Sequence, residues 1–332
     1  MLRVIKWLFF VALVLIAAAG CYLAYQLQIP YAGFKNEVFV DIPSGTSTRG
    51  MARMLEDAGV IRNQWQFLVA RALRRGEVLQ AGEYRFAQPA SVWTVIQRII
   101  RGDIFFYELT IPEGSNQFDV AAAVENLGVM KAQDFLKVAA DSELIKDLDP
   151  TAPSLEGYLF PATYRLTRHT EPRQFARDMI ARFRRAWKEL AHPEADPHYT
   201  VTLASLVEKE AAVPADRPAI ASVFANRLDR GMTLDCDPTT IYAAILEKRY
   251  RGTIHRSDLQ SLNEYNTYKH AGLPPGPIAN PGLDSLKAAL SPAHTDYFYF
   301  VAKPDGSGSH QFSTSLEEHN KAVQAYRDGH KR

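Results

Sequence analysis

Glu208 and Glu210 stand two residues apart in Leu203-Ala204-Ser205-Leu206-Val207-Glu208-Lys209-Glu210-Ala211-Ala212-Val213, and that spacing sends them to different surroundings. Read as a helix, at about 100° per residue, the segment places Leu203, Leu206, Val207 and Glu210 on one face and turns Glu208 and Lys209 away from it. A carboxyl group held against Leu and Val loses solvation of its charged form, so its pKa rises and it keeps a proton near neutrality. A general acid requires that property. The competing reading of a glutamate on an apolar face is a buried ion pair with an arginine.

The residues that follow suit a cleft. Ala215-Asp216-Arg217-Pro218 opens a second helix with Ile220, Val223, Phe224 and Leu228 at helical spacing, and Gly231 stops it. Asp235-Cys236-Asp237-Pro238-Thr239-Thr240 reads as a helix start with proline at the first helical position, where Asp237 acts as a cap in preference to a catalyst. Asn263-Glu264-Tyr265-Asn266-Thr267-Tyr268 leads into Gly272-Leu273-Pro274-Pro275-Gly276-Pro277-Ile278-Ala279-Asn280-Pro281-Gly282. Neither helix nor strand can run through so many prolines and glycines, and a rigid surface loop is expected. Rings, amides and hydroxyls together are the usual lining of a sugar groove, although turn chemistry explains part of the same set.

These segments, with Val223-Phe224-Ala225-Asn226-Arg227-Leu228 and Ser285-Leu286-Lys287-Ala288-Ala289, resemble the YceG-like family of endolytic murein transglycosylases. The likeness covers most of the chain and is strongest from about Glu156 to Asn320. It implies that the second glutamate of Glu-Lys-Glu, Glu210, is the catalytic acid, the residue that helical geometry selects independently. Ala211, Ala212 and Cys236 depart from the family pattern, with no expected effect on the acid. The implied reaction cuts the N-acetylmuramic acid to N-acetylglucosamine β-1,4 bond of nascent peptidoglycan strands and limits their elongation. The muramyl C6 hydroxyl closes a 1,6-anhydro ring, so a single carboxyl group suffices. A second carboxylate about 5 to 10 Å across the cleft would favour a lysozyme-like muramidase; Glu156, Glu208, Asp235 and Asp237 are the candidates, and none is expected to do this work. Asn226, Asp237, Thr239, Tyr265, Asn266 and Glu156 are the expected substrate-binding set, with Tyr265 as a stacking platform and Glu156 as an exposed wall of the cleft.

Position along the chain supplies the setting. Arg3 and Lys6 precede an almost wholly apolar run from Trp7 to Tyr25, long enough for one bilayer-crossing helix with its amino terminus in the cytoplasm. Ala17-Ala18-Ala19-Gly20-Cys21 could also serve as a signal-peptide cleavage site, but the apolar run continues past it. An inner-membrane protein with its catalytic part outside is therefore expected. Ile42-Pro43-Ser44-Gly45 followed by a helix and Gly59 recurs as Ile111-Pro112-Glu113-Gly114 followed by a helix and Gly128, and a Tyr-Arg strand follows each copy, at Tyr84 and Tyr164. The repeat resembles the small LysM-like module.

The expected organisation is a cytoplasmic tip (1–6), an anchor (7–27), a linker (28–36), a LysM-like module (37–104), a second repeat (105–168) and a mixed catalytic domain (169–332). Tyr297-Phe298-Tyr299-Phe300-Val301 and Gln311-Phe312-Ser313 read as a hairpin among helices, so the class is α+β. A formal charge of +1 over 332 residues gives no reason to expect nucleic acid. The histidines lack ligand spacing, the two cysteines are far apart, and no cofactor or metal is expected. The partners expected are glycan strands, the membrane and peptidoglycan synthases, including penicillin-binding proteins. A membrane-anchored glycan-binding scaffold without catalysis is the alternative from another class.

Overall fold

Leu2–Gln28 carries no proline, and it forms one uninterrupted helix, α1. A computed structural model describes residues 2–190 and 194–329; Met1, 191–193 and 330–332, which end or interrupt the 1–6 and 169–332 segments, lie outside the described residues. The chain falls into two compact units, one of Met1–Tyr107 with Thr167–His169, the other of Glu108–Leu166 with Thr170–Arg332.

In the first unit, strand β1 (Val38–Ile42) leads to helices α2 (Thr48–Asp57) and α3 (Gln64–Leu73), strand β2 (Gly82–Phe86) and helix α4 (Val92–Arg101). β1 and β2 pair antiparallel with Val38 opposite Phe86 and Ile42 opposite Gly82. Ser47 and Ser91 cap α2 and α4 through their hydroxyls. Every third or fourth side chain of α4, namely Val92, Val95, Ile96 and Ile99, faces a core shared with Leu55, Phe67 and Tyr84. The core also holds Leu27, two residues beyond the apolar run. Residues read as a linker are held against this module, with Tyr31 bridged to Ala90 and the Gly33 amide donating to the Gly59 carbonyl.

The second unit repeats the pattern before departing from it. β3 (Tyr107–Thr110), α5 (Gln117–Asn126), α6 (Ala132–Ala139) and β4 (Thr163–Leu166) give the same strand–helix–helix–strand order, with β3 paired to β4. Gly45 and Gly59 recur as Gly114 and Gly128, all with positive φ, so both copies use left-handed residues at the same two turns. Each copy has a second helix, α3 or α6, that the sequence reading did not separate. Then come α7 (Pro172–Leu190), α8 (Pro197–Glu210), α9 (Arg217–Asp229), α10 (Asp237–Leu246), α11 (Arg256–Leu259), α12 (Leu283–Leu290), hairpin β5 (Tyr299–Ala302) with β6 (His310–Ser313), and α13 (Leu316–Gly329). The class is α+β.

α8 is the axis of this unit. All eight residues from Thr200 to Val207 are buried, and α9, α10 and α12 pack around it. A helix enclosed on every side has no polar face, so the single apolar stripe read from the sequence was only part of its buried surface. The Pro/Gly segment 272–282 has neither helix nor strand, but it is not a surface loop. Pro274 and the residues from Gly276 to Gly282 are buried. Asn280 makes that burial possible: its Oδ1 accepts from the Gly157 and Leu159 amides at 2.9 Å each, and its Nδ2 donates to the Ser115 carbonyl and to Glu156.

Candidate active site

Glu210 is the last residue of α8, and the backbone turns to extended geometry at Ala211, earlier than the helix through Val213 that periodicity suggested. Its carboxyl group therefore lies at the negative end of the helix dipole. Burial pushes its pKa up to about 7, with the nearby Asp237 charge adding to the rise. Among the described ion pairs no arginine or lysine partners Glu210. The buried glutamate–arginine pair belongs to its neighbour: Arg217 sits 3.2 Å from Glu208, which also accepts the Gly282 amide at 3.0 Å. Glu208 does point away from Glu210, but into a second buried face.

Glu210 opens into a cavity of about 360 Å³ that it lines with Arg227, Leu234, Asp235, Asp237, Tyr268, Tyr299, Phe300, Leu316 and His319. Helices α9, α10 and α13, strand β5 and two loops supply these walls. Arg227 of α9 is buried and held by the Phe298, Thr233 and Leu234 carbonyls and by Asp235 at 3.2 Å, with its guanidinium 5.1 Å from the Tyr299 ring centre. Asp235 takes a left-handed backbone, φ 50°, which is uncommon outside glycine and aims its carboxylate at Arg227. The β5–β6 hairpin brings Tyr299 and Phe300, and Asp216 fastens it by accepting both the His310 amide and its Nδ1. α13 contributes Leu316 and His319, the latter stacked on Tyr299 at 5.2 Å. Burial lowers the His319 pKa, with the Arg227 charge adding to the effect, so a neutral ring is favoured there.

Cys236 is the one described side chain hydrogen-bonded to the acid, with Sγ 3.2 Å from Glu210 Oε1. This overturns the expectation that the departure at Cys236 leaves the acid untouched. Burial pushes the thiol well up, so it is an S–H donor and not a thiolate nucleophile. Its backbone is locked from both sides: the amide donates to Thr267 Oγ1, and the carbonyl accepts from Thr239 Oγ1 at 2.7 Å.

The expected substrate-binding residues divide into three groups. Asp237 lies in the Glu210 cavity at the first position of α10, and its carboxylate accepts from the Tyr268 hydroxyl at 2.7 Å; the residue at the capping position is Cys236. Asn226 faces a different cavity, of about 490 Å³, with its amide donating to the Thr295 and Tyr297 carbonyls. Tyr265 packs on Tyr242 at 5.1 Å and does not line the Glu210 cavity.

Thr239, Asn266 and Glu156 require correction, because none reaches a surface. Thr239 supports Cys236, while Asn266 donates to the Asp258, Leu259 and Ser261 carbonyls and so builds the turn that presents Tyr268. Glu156 is fully buried, not an exposed wall. It accepts from the Gln117 amide, the Tyr242 hydroxyl and Asn280, and burial pushes its pKa up to about 8. Arg227, Tyr268, Tyr299, Leu316 and His319 were missed as site residues. Tyr268 and Arg227 left a signal, as the second tyrosine of Tyr265-Asn266-Thr267-Tyr268 and as the residue after Asn226 in Val223-Phe224-Ala225-Asn226-Arg227-Leu228.

Comparison with known proteins places the chain in a family. Residues 40–325 match the YceG-like family. A Bacillus subtilis protein named endolytic murein transglycosylase is 35% identical over 88% of this chain and 85% of its own length. A Streptococcus pneumoniae protein of the same name is 29% identical over 96% of this chain, which spans 64% of that longer relative. The crystal structure of a yceG-like protein from Listeria monocytogenes covers 87% of this chain and 99% of its own, at 34% identity and a TM-score of 0.57.

Proposed function

The chain belongs to the YceG-like family, and on that basis we propose that it is an endolytic peptidoglycan lytic transglycosylase with Glu210 as its acid and base. The observation that carries the reading is a glutamate with no cationic partner among the described residues, raised to about 7, opening on a cavity walled by tyrosines and polar groups. At that pKa both protonation states are within reach near neutrality. Protonated Glu210 gives its proton to the oxygen that leaves between N-acetylmuramic acid and N-acetylglucosamine. The resulting carboxylate then takes the proton of the muramyl C6 hydroxyl, which closes on C1 to form the 1,6-anhydro ring. The nucleophile comes from the substrate, so no water has to be positioned. Tyr268 supplies a ring face for a sugar, and Asp237 a polar contact beside it.

The α1 helix, apolar from Arg3 to Gln28 and long enough to cross a membrane, serves in this reading as an uncleaved anchor with the rest of the chain outside the cytoplasm. Cutting then falls on strands leaving the synthases at the membrane surface, and the two strand–helix–helix–strand repeats guide the glycan. A muramidase is the second reading, because Asp235 and Asp237 line the same cavity as Glu210. Product analysis separates the two. Purified wall glycan incubated with the parent should yield anhydro-ended fragments, and Glu210→Gln should yield none. Ordinary reducing ends would indicate the hydrolase, and unchanged anhydro product from the variant would remove Glu210 from the chemistry.

A further inference from the structure

The apolar run and the first module overlap in height. Trp7–Tyr25 supplies the stretch that fits the hydrocarbon of a bilayer, at about 1.5 Å per residue against about 30 Å. Tyr22 and Tyr25, 64% and 65% exposed, lie toward its outer end, where aromatic residues meet the headgroups. Gly20, Leu23 and Ala24 fall inside the run, yet with Leu27 and Gln28 they form one side of an apolar groove of about 410 Å³ whose other side is Leu73 and Trp93. The end of α3 and the start of α4 therefore stand beside helix residues that belong to the membrane.

Three further observations bear on what covers this edge. Leu73 is 63% exposed, although it faces an apolar groove. Arginines crowd the same turn: Arg71 donates to the Arg74 carbonyl, the Arg74 guanidinium lies 4.8 Å from the Trp93 ring centre and is paired with Glu77 at 2.7 Å, and Arg75 is exposed. An apolar tip beside guanidinium groups matches the boundary between acyl chains and lipid phosphates. The attachment is also stiff, because Leu27 is buried in the module core and α1 packs on both α3 and α4.

We propose that the Leu73–Trp93 edge of the first module is set into the outer leaflet of a phospholipid bilayer, with Leu73 among the upper acyl carbons and Arg71 and Arg75 at the phosphates. This rests on reading α1 as an uncleaved anchor. The module is then a foot standing in the membrane, and its height above the lipid is fixed.

Nitroxide labels on the full chain in vesicles of phosphatidylethanolamine and phosphatidylglycerol test this through relative accessibility to oxygen and to a water-soluble nickel chelate. The native Cys21, exposed on α1, reports the anchor by itself, while Cys236 is buried. Leu73→Cys in a Cys21→Ser background reports the foot, and Leu262→Cys, at a position 79% exposed in the other unit, gives the aqueous reference. The proposal expects the oxygen-to-nickel ratio at Leu73 to match that at Cys21 and to exceed that at Leu262 several-fold. A Leu73 label as nickel-accessible as Leu262, beside a lipid-shielded Cys21, overturns the foot and leaves the anchor standing. A water-accessible Cys21 overturns both. Should Leu73→Cys fold poorly, quenching by phospholipids brominated near the headgroup decides instead. Trp93→Phe should remove a quenchable part of the emission that Trp187→Phe leaves in place, and equal quenching in the two variants refutes the proposal.

Discussion

At the scale of the residue, the burial that raises the pKa of Glu210, the proposed acid, costs stability. An unfolded chain ionises it near the ordinary 4.5, while the folded protein holds its proton to about 7. Below the lower value both states are protonated and the group is neutral in effect. Between the two, the unfolded state loses its proton first, so the fold loses stability as pH rises, by up to about 3 kcal/mol less what the partly exposed edge screens. Glu210→Gln should accordingly melt close to the parent at pH 4.5 and higher than the parent at pH 8; a difference in melting temperature that does not grow with pH would contradict the raised pKa. Cys236 acts in the opposite sense, since its S–H donates to the carboxylate and favours the charged form. Cys236→Ala should move the basic limb of the pH–rate profile upward by up to about one unit, and Cys236→Ser should hold it at or below the parent position. Superimposed profiles for the alanine variant and the parent would show that the thiol does not tune the acid.

Elements set what could be read in advance. The amphipathic repeats and the β5–β6 hairpin were legible, because each is a local pattern of period and turn, whereas the cap read at Asp237 falls to Cys236. Glu210 was legible for the same reason, as an acid out of register with its own helix. Its contact with Cys236 was not, since no period links α8 to the start of α10. Nor was the burial of 276–282: proline and glycine forbid regular structure but do not say whether the rest of the chain covers the segment. Glu156 failed similarly, because its partners Gln117, Tyr242 and Asn280 come from three distant segments. The crossing point of these segments is tight. Gly157 has φ 88°, and a Cβ there would lie 2.5 Å from Pro277 Cγ and 2.7 Å from Val201. Gly231, at φ 64° after α9, would meet nothing within 4 Å. Gly231→Ala should thus cost only the backbone strain of about 1–2 kcal/mol, whereas Gly157→Ala adds a clash worth about 1–3 kcal/mol more and should give little soluble protein. Equal melting temperatures for the two variants would mean that the crossing is looser than drawn.

For the whole molecule, the question is what the amino-terminal helix adds to a site it does not touch. Every residue lining the Glu210 cavity belongs to the second unit, so the chemistry should not need α1. α1 does enter the first module, where Leu27 is 4% exposed in the core, so removing the helix also removes a core side chain worth about 1.5–3 kcal/mol. A chain beginning at Pro30 should therefore be soluble and less stable in its first unit. It should still make anhydro ends from purified glycan at a rate within a few-fold of the parent, since dissolved substrate gains nothing from confinement. With α1 as the anchor proposed above, the comparison in cells should differ, because a tether converts a search through the surrounding volume into one along the membrane surface and raises the local concentration of newly made strands. The untethered chain should then leave strands longer than the parent does at equal abundance, as measured by the ratio of anhydro ends to total disaccharide. If it shortened them equally well, confinement would have no part in where the enzyme cuts; if it lost activity on purified glycan while folded, the site would depend on the anchor after all.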